Sequence, residues 1–236
     1  MIPSVFDSAQ SVSVSPWIVF DEMNWDKLVK NHRLRSYRKG QAVYYQEGSE
    51  NCVYLVKRGR VNVSATNSQG KIHSLYVADA GCLFGENFCY KIGGSTTQAS
   101  ANCDTDIYAI PTDEFVERVT RDADLMDNLV HTLVRKVQVL TYHIEQLTFN
   151  DSFTKVKNVL LALADTYGQV DEGGVVINMR FTHQEVAGMA SVSRVTATNA
   201  MSAMQKAGVL SRRKGCAYIQ DLVAFQNFAV EHRMPL

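Results

Sequence analysis

The sequence predicts an α+β protein in three parts: an N-terminal antiparallel β-barrel of the double-stranded β-helix or jelly-roll type, a long dimerisation helix, and a C-terminal winged helix-turn-helix. Three observations predict it. Short Val/Tyr-rich runs punctuated by glycine fill residues 34–111, a stretch free of Gly and Pro runs from Ala123 to Leu147, and two capped short helices follow one another in 181–201. The division that results is 1–118 for an effector-sensing barrel, 119–150 for the dimerisation helix and a hinge, and 151–236 for the winged helix.

The barrel comes first. In "RKGQAVYYQEGS" Gly40 and Gly48 flank a Val/Tyr run, and "CVYLVKRGRVNVSATNSQGKIHSLYV" gives three strands parted by turns at Gly59 and Gly70. Repeated short strands of this kind suit a small sandwich or barrel. Such a barrel either holds a ligand in its mouth or is filled by its own side chains.

The helix comes second. Ala123, Met126, Val130, Leu133, Val137, Leu140, Ile144 and Leu147 are separated by alternating steps of 3 and 4. That is an a/d seam, narrower than the stripe by which a helix covers its own domain, and it predicts pairing with an identical helix. Lys136 falls at a g position beside it, as a solvated flank of the coiled coil. Polar residues 148–152 then predict a hinge, with a new helix starting at Asp151 or Ser152.

The winged helix comes third. Thr182 and Glu185 have the spacing of a capping box, the apolar residues Val186, Ala187, Met189 and Ala190 follow, and Ser193 caps a second helix. Ser191 sits in the turn, where a non-glycine residue must adopt the left-handed conformation. On the second helix Ala197, Ala200, Met201 and Met204 have core spacing, which turns Arg194, Val195, Thr198 and Asn199 outward near the helix start. Those are base-reading positions: Arg suits guanine, Asn adenine, and Val a thymine methyl. A basic turn at Arg212–Gly215 between two strands makes a wing.

Charge supports a duplex DNA partner. Residues 1–152 carry 15 Lys+Arg against 18 Asp+Glu, whereas 153–236 carry 9 against 6. Within 180–214, Arg180, Arg194, Lys206, Arg212, Arg213 and Lys214 face only Glu185. Thr182, Gln184, Ser193, Arg212, Arg213 and Lys214 are placed for phosphates, which position without specifying.

Composition excludes other classes. Hydrophobic residues at 46% and charged residues at 20% describe a globular chain with no apolar run of membrane-spanning length and no signal-peptide pattern, so a cytoplasmic protein without a membrane partner is expected. The cysteines Cys52, Cys82, Cys89, Cys103 and Cys216 are odd in number and form no CxxC, which implies neither a metal site nor a disulfide framework. No nucleophile–base or metal-cluster spacing marks a catalytic site, so no enzyme is expected.

The pieces "KG" at 39–40, "EG" at 47–48, "YLVKRGRV" at 54–61, "GCLFGE" at 81–86 and "THQEVAGMASVSRVTATNAM", in that order, resemble the CRP/FNR family of bacterial transcription regulators over roughly residues 20 to 230. The resemblance implies a homodimer on a palindromic operator, a small-molecule effector in the barrel, and RNA polymerase as a partner if the protein activates. It places Arg194 where the family reads guanine, and Val195 where a Glu is frequent. The effector site it implies comprises Tyr76, Phe84, Gly85, Glu86, Phe88, Tyr90, Ser95 and Thr96, with Lys136 and Leu140 from the helix.

Departures from the family pattern narrow the effector. Members that bind cyclic AMP carry an Arg shortly after the Gly-Glu pair, but here no Arg occurs between Arg60 and Arg118, and Ser95 or Thr96 stands in its place. Burying a phosphate without a guanidinium is costly, so an effector other than cyclic AMP is expected. No cysteine precedes Cys52, which excludes the N-terminal iron–sulfur cluster of the oxygen-sensing members. Lys136 matches the Lys by which members similar to halogenated-phenol sensors meet an acidic phenol, implying an aromatic acid or phenol. No cofactor is assigned. A redox- or haem-dependent regulator of the same fold (through His32, His73 or the pocket cysteines) and a winged-helix protein-interaction module stand as alternatives.

Overall fold

The computed structural model describes residues 14–20, 23–46, 51–70, 72–90 and 96–228. Two compact units form, one spanning Pro16–Thr141 and the other running from Tyr142 onward and including Ser15.

The first unit holds two sheets. Strands β1 (Trp17–Ile18), β2 (Leu34–Tyr37), β3 (Ala42–Tyr44), β4 (Cys52–Arg58), β5 (Val61–Thr66), β6 (Ile72–Ala78), β7 (Leu83–Phe84), β8 (Gln98–Ala101) and β9 (Thr105–Pro111) assemble as β1-β6-β5-β8-β3 and β2-β9-β4-β7. The jelly-roll prediction is met by two unclosed sheets. One pair, β1 on β6, is parallel, which the short Trp-Ile segment gave no means to foresee. Period-2 alternation decides what faces inward: Tyr44 is buried while its neighbour Tyr45 is exposed.

Helices close one end of this unit. Trp25 and Leu28, at and within α1 (Asp26–Val29), join Phe115 and Val119 of α2 (Thr112–Arg121), Leu125 of α3 (Ala123–Phe149), and Val53, Leu55, Leu83 and Ile110 in one core. The Trp25 indole donates to the Gly81 carbonyl at 2.9 Å, so even the ring nitrogen is satisfied. Helix α2 runs across the expected 118/119 boundary. Asp122 separates α2 from α3, its Oδ1 accepting from the backbone of Asp124 and Leu125.

In the second unit Asp151 caps α4 (Ser152–Tyr167), accepting the Thr154 amide at 2.8 Å. Gln146, near the end of α3, accepts from both Asn150 and Asn158, tying the turn to α4. Strands β10 (Gly168–Asp171), β11 (Gly174–Ile177), β12 (Leu210–Arg213) and β13 (Cys216–Ile219) form a sheet in the order β10-β11-β13-β12. Strands β10 and β11 make a hairpin, because Glu172 and Gly173 take positive φ in a two-residue turn. Helices α5 (His183–Ala190) and α6 (Arg194–Lys206) pack on α4, and α7 (Leu222–Asn227) follows its cap Asp221.

Candidate nucleic-acid interface and effector site

The helix-turn-helix is built by the chemistry its sequence announces. Thr182 Oγ1 accepts the Glu185 amide at 3.1 Å, and Glu185 Oε2 reaches back to the Thr182 amide at 2.6 Å, completing the capping box. Ser191 closes α5 at φ 55° and ψ 37°, the left-handed cap expected of it. Ser193 Oγ then accepts the Thr196 amide at 3.0 Å to start α6. Ala197, Ala200, Met201 and Met204 are buried, while Arg194, Val195 and Asn199 are exposed, Val195 at 68%.

Thr198 differs from its three neighbours. It is half-buried, its hydroxyl donates to the Arg194 carbonyl at 2.9 Å, and the same oxygen lies 3.0 Å from Nδ1 of His183. Its spacing groups it with the outward residues, because a four-residue step fixes a face but not what the neighbouring helix presents to it.

Around the two helices, Arg180, Thr182, Gln184, Arg212 and Lys214 are exposed. Lys214 and Gly215 take φ of 50° and 83° in the two-residue turn between Arg213 and Cys216, so the wing tip presents Lys214 outward. Arg213 is a correction to the phosphate-facing set. Its Nη1 lies 2.8 Å from Glu172 and 3.6 Å from Asp171, and its guanidinium stacks 3.9 Å from the Tyr218 ring centroid. Strand alternation turns it toward the β10–β11 hairpin, where two carboxylates hold it.

In the first unit an aromatic cluster bridges the two sheets. Tyr44 from one sheet stacks on Tyr54 and Phe84 of the other, with ring centroids 5.9 and 6.3 Å away, and meets Phe88 edge-on at 5.1 Å. Gly85 makes this possible: at φ 84°, a Cβ would stand 3.0 Å from the Tyr54 ring and 3.2 Å from the Cys52 carbonyl. Glu86 follows at the head of a 3₁₀ turn, Glu86–Tyr90.

Lys136 is only 5% exposed, so it is not a solvated flank. Its Nζ lies 2.6 Å from Glu86 Oε1 and 5.0 Å from the centroid of the Tyr76 ring. The other Glu86 oxygen, Oε2, is buried with no hydrogen-bond partner among the described residues. Burial, reinforced by the Glu86 charge, holds the Tyr76 phenol well above its ordinary pKa. Burial also pushes the Tyr44 phenol up to about 12, although a hydrogen bond with Thr97 works the other way.

Other assigned effector residues separate from this group. Leu140 is exposed on the same stripe as Val137 and Ile144, so it does not reach its own subunit's cluster. Thr96 is exposed, and it is Thr97 whose hydroxyl lies 3.1 Å from that of Tyr44. Ser95 and the side chain of Tyr90 lie outside the described residues. Sequence reasoning misses Tyr44, Tyr54 and Thr97, because "AVYY" and "CVYLV" are unbroken apolar runs that mark buried strands without saying which side chain faces the cluster.

Two family models match the chain: the cyclic nucleotide-binding domain over residues 34–122 and the Crp-like helix-turn-helix domain over 154–228. Among curated proteins, the Cyclic AMP receptor protein of Thermus thermophilus is 25% identical over 204 residues, covering 86% of this chain and 91% of that protein. Among solved structures, a mutant of CooA from Carboxydothermus hydrogenoformans aligns with a TM-score of 0.74 at 24% identity, covering 84% of this chain and 88% of that one. CprK complexed with OCPA aligns with a TM-score of 0.72 at 15% identity, over 89% and 97% of the respective chains. Among the described residues, no helix is long and apolar enough to cross a membrane. A barrel of the cyclic-nucleotide-binding type followed by a Crp-like helix-turn-helix, shared with curated regulators over most of its length, places this chain in the CRP/FNR family of transcription regulators, which are not enzymes.

Proposed function

We propose that the chain works as a homodimer on a palindromic operator and answers a small anionic aromatic molecule, a phenol or aromatic acid, rather than cyclic AMP. The observation that carries this reading is the position of Lys136. Its ammonium is buried beside Glu86 and Tyr76 in the barrel, while Val137, the next residue, is 62% exposed on the apolar seam. An anion that engages Lys136 therefore acts on the helix that joins the protomers, and it shifts DNA binding insofar as it prefers the DNA-competent state. Cyclic AMP, the ligand in the name of the Thermus relative, would instead bring its phosphate to a segment with no Arg between Arg60 and Arg118.

On DNA, α6 enters the major groove with Arg194, Val195 and Asn199 toward base edges, and Arg180, Thr182, Gln184, Arg212 and Lys214 lie along phosphates. Two-fold symmetry sets the half-sites about one helical turn apart. Selection from random duplexes identifies the operator. Arg194→Ala is expected to cost roughly 1–3 kcal/mol and to relax one guanine, while Lys214→Ala weakens all sequences about equally and flattens the salt dependence. Titrating aromatic acids and cyclic AMP against wild type and Lys136→Ala then reads the effector. A response to cyclic AMP alone, or an unchanged response in Lys136→Ala, sinks the effector assignment.

A further inference from the structure

We infer that His183 is a specificity-positioning residue: through Thr198 it fixes the roll of α6 and so determines which base pairs Arg194 and Asn199 meet, without itself touching a base. The inference rests on the reading of α6 as the DNA-reading helix.

Two hydrogen bonds at Thr198 carry the assignment. A threonine hydroxyl has one hydrogen, and that of Thr198 goes to the Arg194 carbonyl at 2.9 Å. With that hydrogen committed, its oxygen accepts from His183 Nδ1 at 3.0 Å in the tautomer that carries the proton on Nδ1. The donor that would have read a base acceptor is spent. What remains is a chain of bonds from the first turn of α5, through Thr198, to the backbone carbonyl of the first residue of α6.

The rest of the α5–α6 contact explains why such a bond matters. Apart from Val186, the buried residues on the two helices are small or unbranched: Ala187, Met189 and Ala190 on α5, and Ala197, Ala200, Met201 and Met204 on α6. Apolar packing of Ala and Met is non-directional, and Met adapts its rotamers readily. It holds the helices together more firmly than it fixes their rotation. A directional bond at the end that approaches DNA supplies the missing constraint, and small rotations there displace a side chain as long as that of Arg194 substantially. Positioning of this kind matches the general need to lock a reading side chain from behind.

The test compares His183→Ala, His183→Asn, Thr198→Val and the double variant His183→Ala/Thr198→Val. Asn can place an amide N–H near the position of Nδ1, and Val keeps the branched shape of Thr while losing the hydroxyl. Each variant is taken through selection from random duplexes and through affinity measurements on the wild-type operator and on a scrambled duplex. His183→Ala and Thr198→Val are each expected to lower the operator-to-scrambled affinity ratio about fivefold, and the double variant no further, because both remove one coupled bond. Affinity for the scrambled duplex and thermal midpoint should stay near wild type, and His183→Asn should restore the ratio. Additive losses, with Thr198→Val shifting preference at one base pair and His183→Ala shifting none, would show that Thr198 reads a base directly and overturn the inference. Wild-type protein that selects no sequence overturns it together with the reading of α6, a result distinct from selective wild type with unaltered variants, which overturns the role of His183 alone.

Discussion

Two stripes of α3 share one heptad spacing and differ in chemistry, one wholly apolar and one carrying a charge. Met126, Val130, Leu133, Val137, Leu140, Ile144 and Leu147 are apolar and exposed, whereas Leu125, Thr132, Lys136 and Val139, one position behind them, are buried. The ordinary rule puts the apolar stripe inside and the charge outside. In the proposed dimer, its inversion gives α3 two clients. The inner stripe, in the barrel unit, inserts an ammonium beside Glu86; the outer one is a hydrophobic surface of the size and regularity that a second helix covers.

The largest effect expected from breaking this contrast comes from the outer stripe. Val137→Glu places a carboxylate from each protomer at a buried a position of the proposed pair, a charge burial with no partner. Sedimentation should show a dimer for wild type and a monomer for the variant at micromolar concentration. A variant that remains dimeric would move the interface elsewhere and leave the exposed stripe without a client.

Breaking the inner stripe acts on the barrel instead. Glu86→Ala leaves the Lys136 ammonium buried without its carboxylate, a change that typically costs about 3 kcal/mol or more. Glu86→Leu combined with Lys136→Met removes both charges, and the pair of substitutions should be close to neutral or stabilising. Trp17 and Trp25, the two tryptophans of the chain, both lie in this unit, so urea unfolding followed by tryptophan emission reads it selectively. Equal losses for the single and double variants would mean that the pair stabilises the fold, and that Lys136 is retained for folding rather than for a ligand.

The same contrast explains what the sequence made legible. The outer stripe was readable because seven apolar residues in a 3-4 rhythm leave a hydrophobic signal, and the capping chemistry of Thr182, Glu185 and Ser193 was readable because it is local. The inner stripe has the same rhythm, but Leu, Thr, Lys and Val in succession give no periodic hydrophobicity, so Lys136 read equally as a solvated flank. Its partner Glu86 is 50 residues away, beyond any local rule. Arg213 and Thr198 were obscured for the same reason, since Glu172 and His183 belong to other elements. Spacing assigned each residue a face; only tertiary structure supplied what faces it.

The smallest expected effect sharpens the contrast through pH. Burial pushes the Cys82 thiol up to about 12, with the Lys136 charge opposing and that of Glu86 assisting. Tyr44 is likewise pushed up to about 12, and Tyr76 is raised further by burial and Glu86. These are acids whose protonated form the folded barrel prefers. Their stabilisation is complete below the unfolded values, about 9 for a thiol and 10 for a phenol, and is lost as pH rises through the folded ones. Barrel stability should therefore be flat to about pH 8 and fall by roughly 1–2 kcal/mol for each of these groups near pH 10.5, with Tyr44→Phe removing its share of the decline. The outer stripe contains no titratable side chain, so subunit dissociation measured across the same window should respond less than the tryptophan-monitored unfolding of the barrel. Unfolding midpoints that match at pH 8 and about pH 10.5 would mean that water reaches these groups, and that the ammonium of Lys136 lies in a wetter environment than its burial implies.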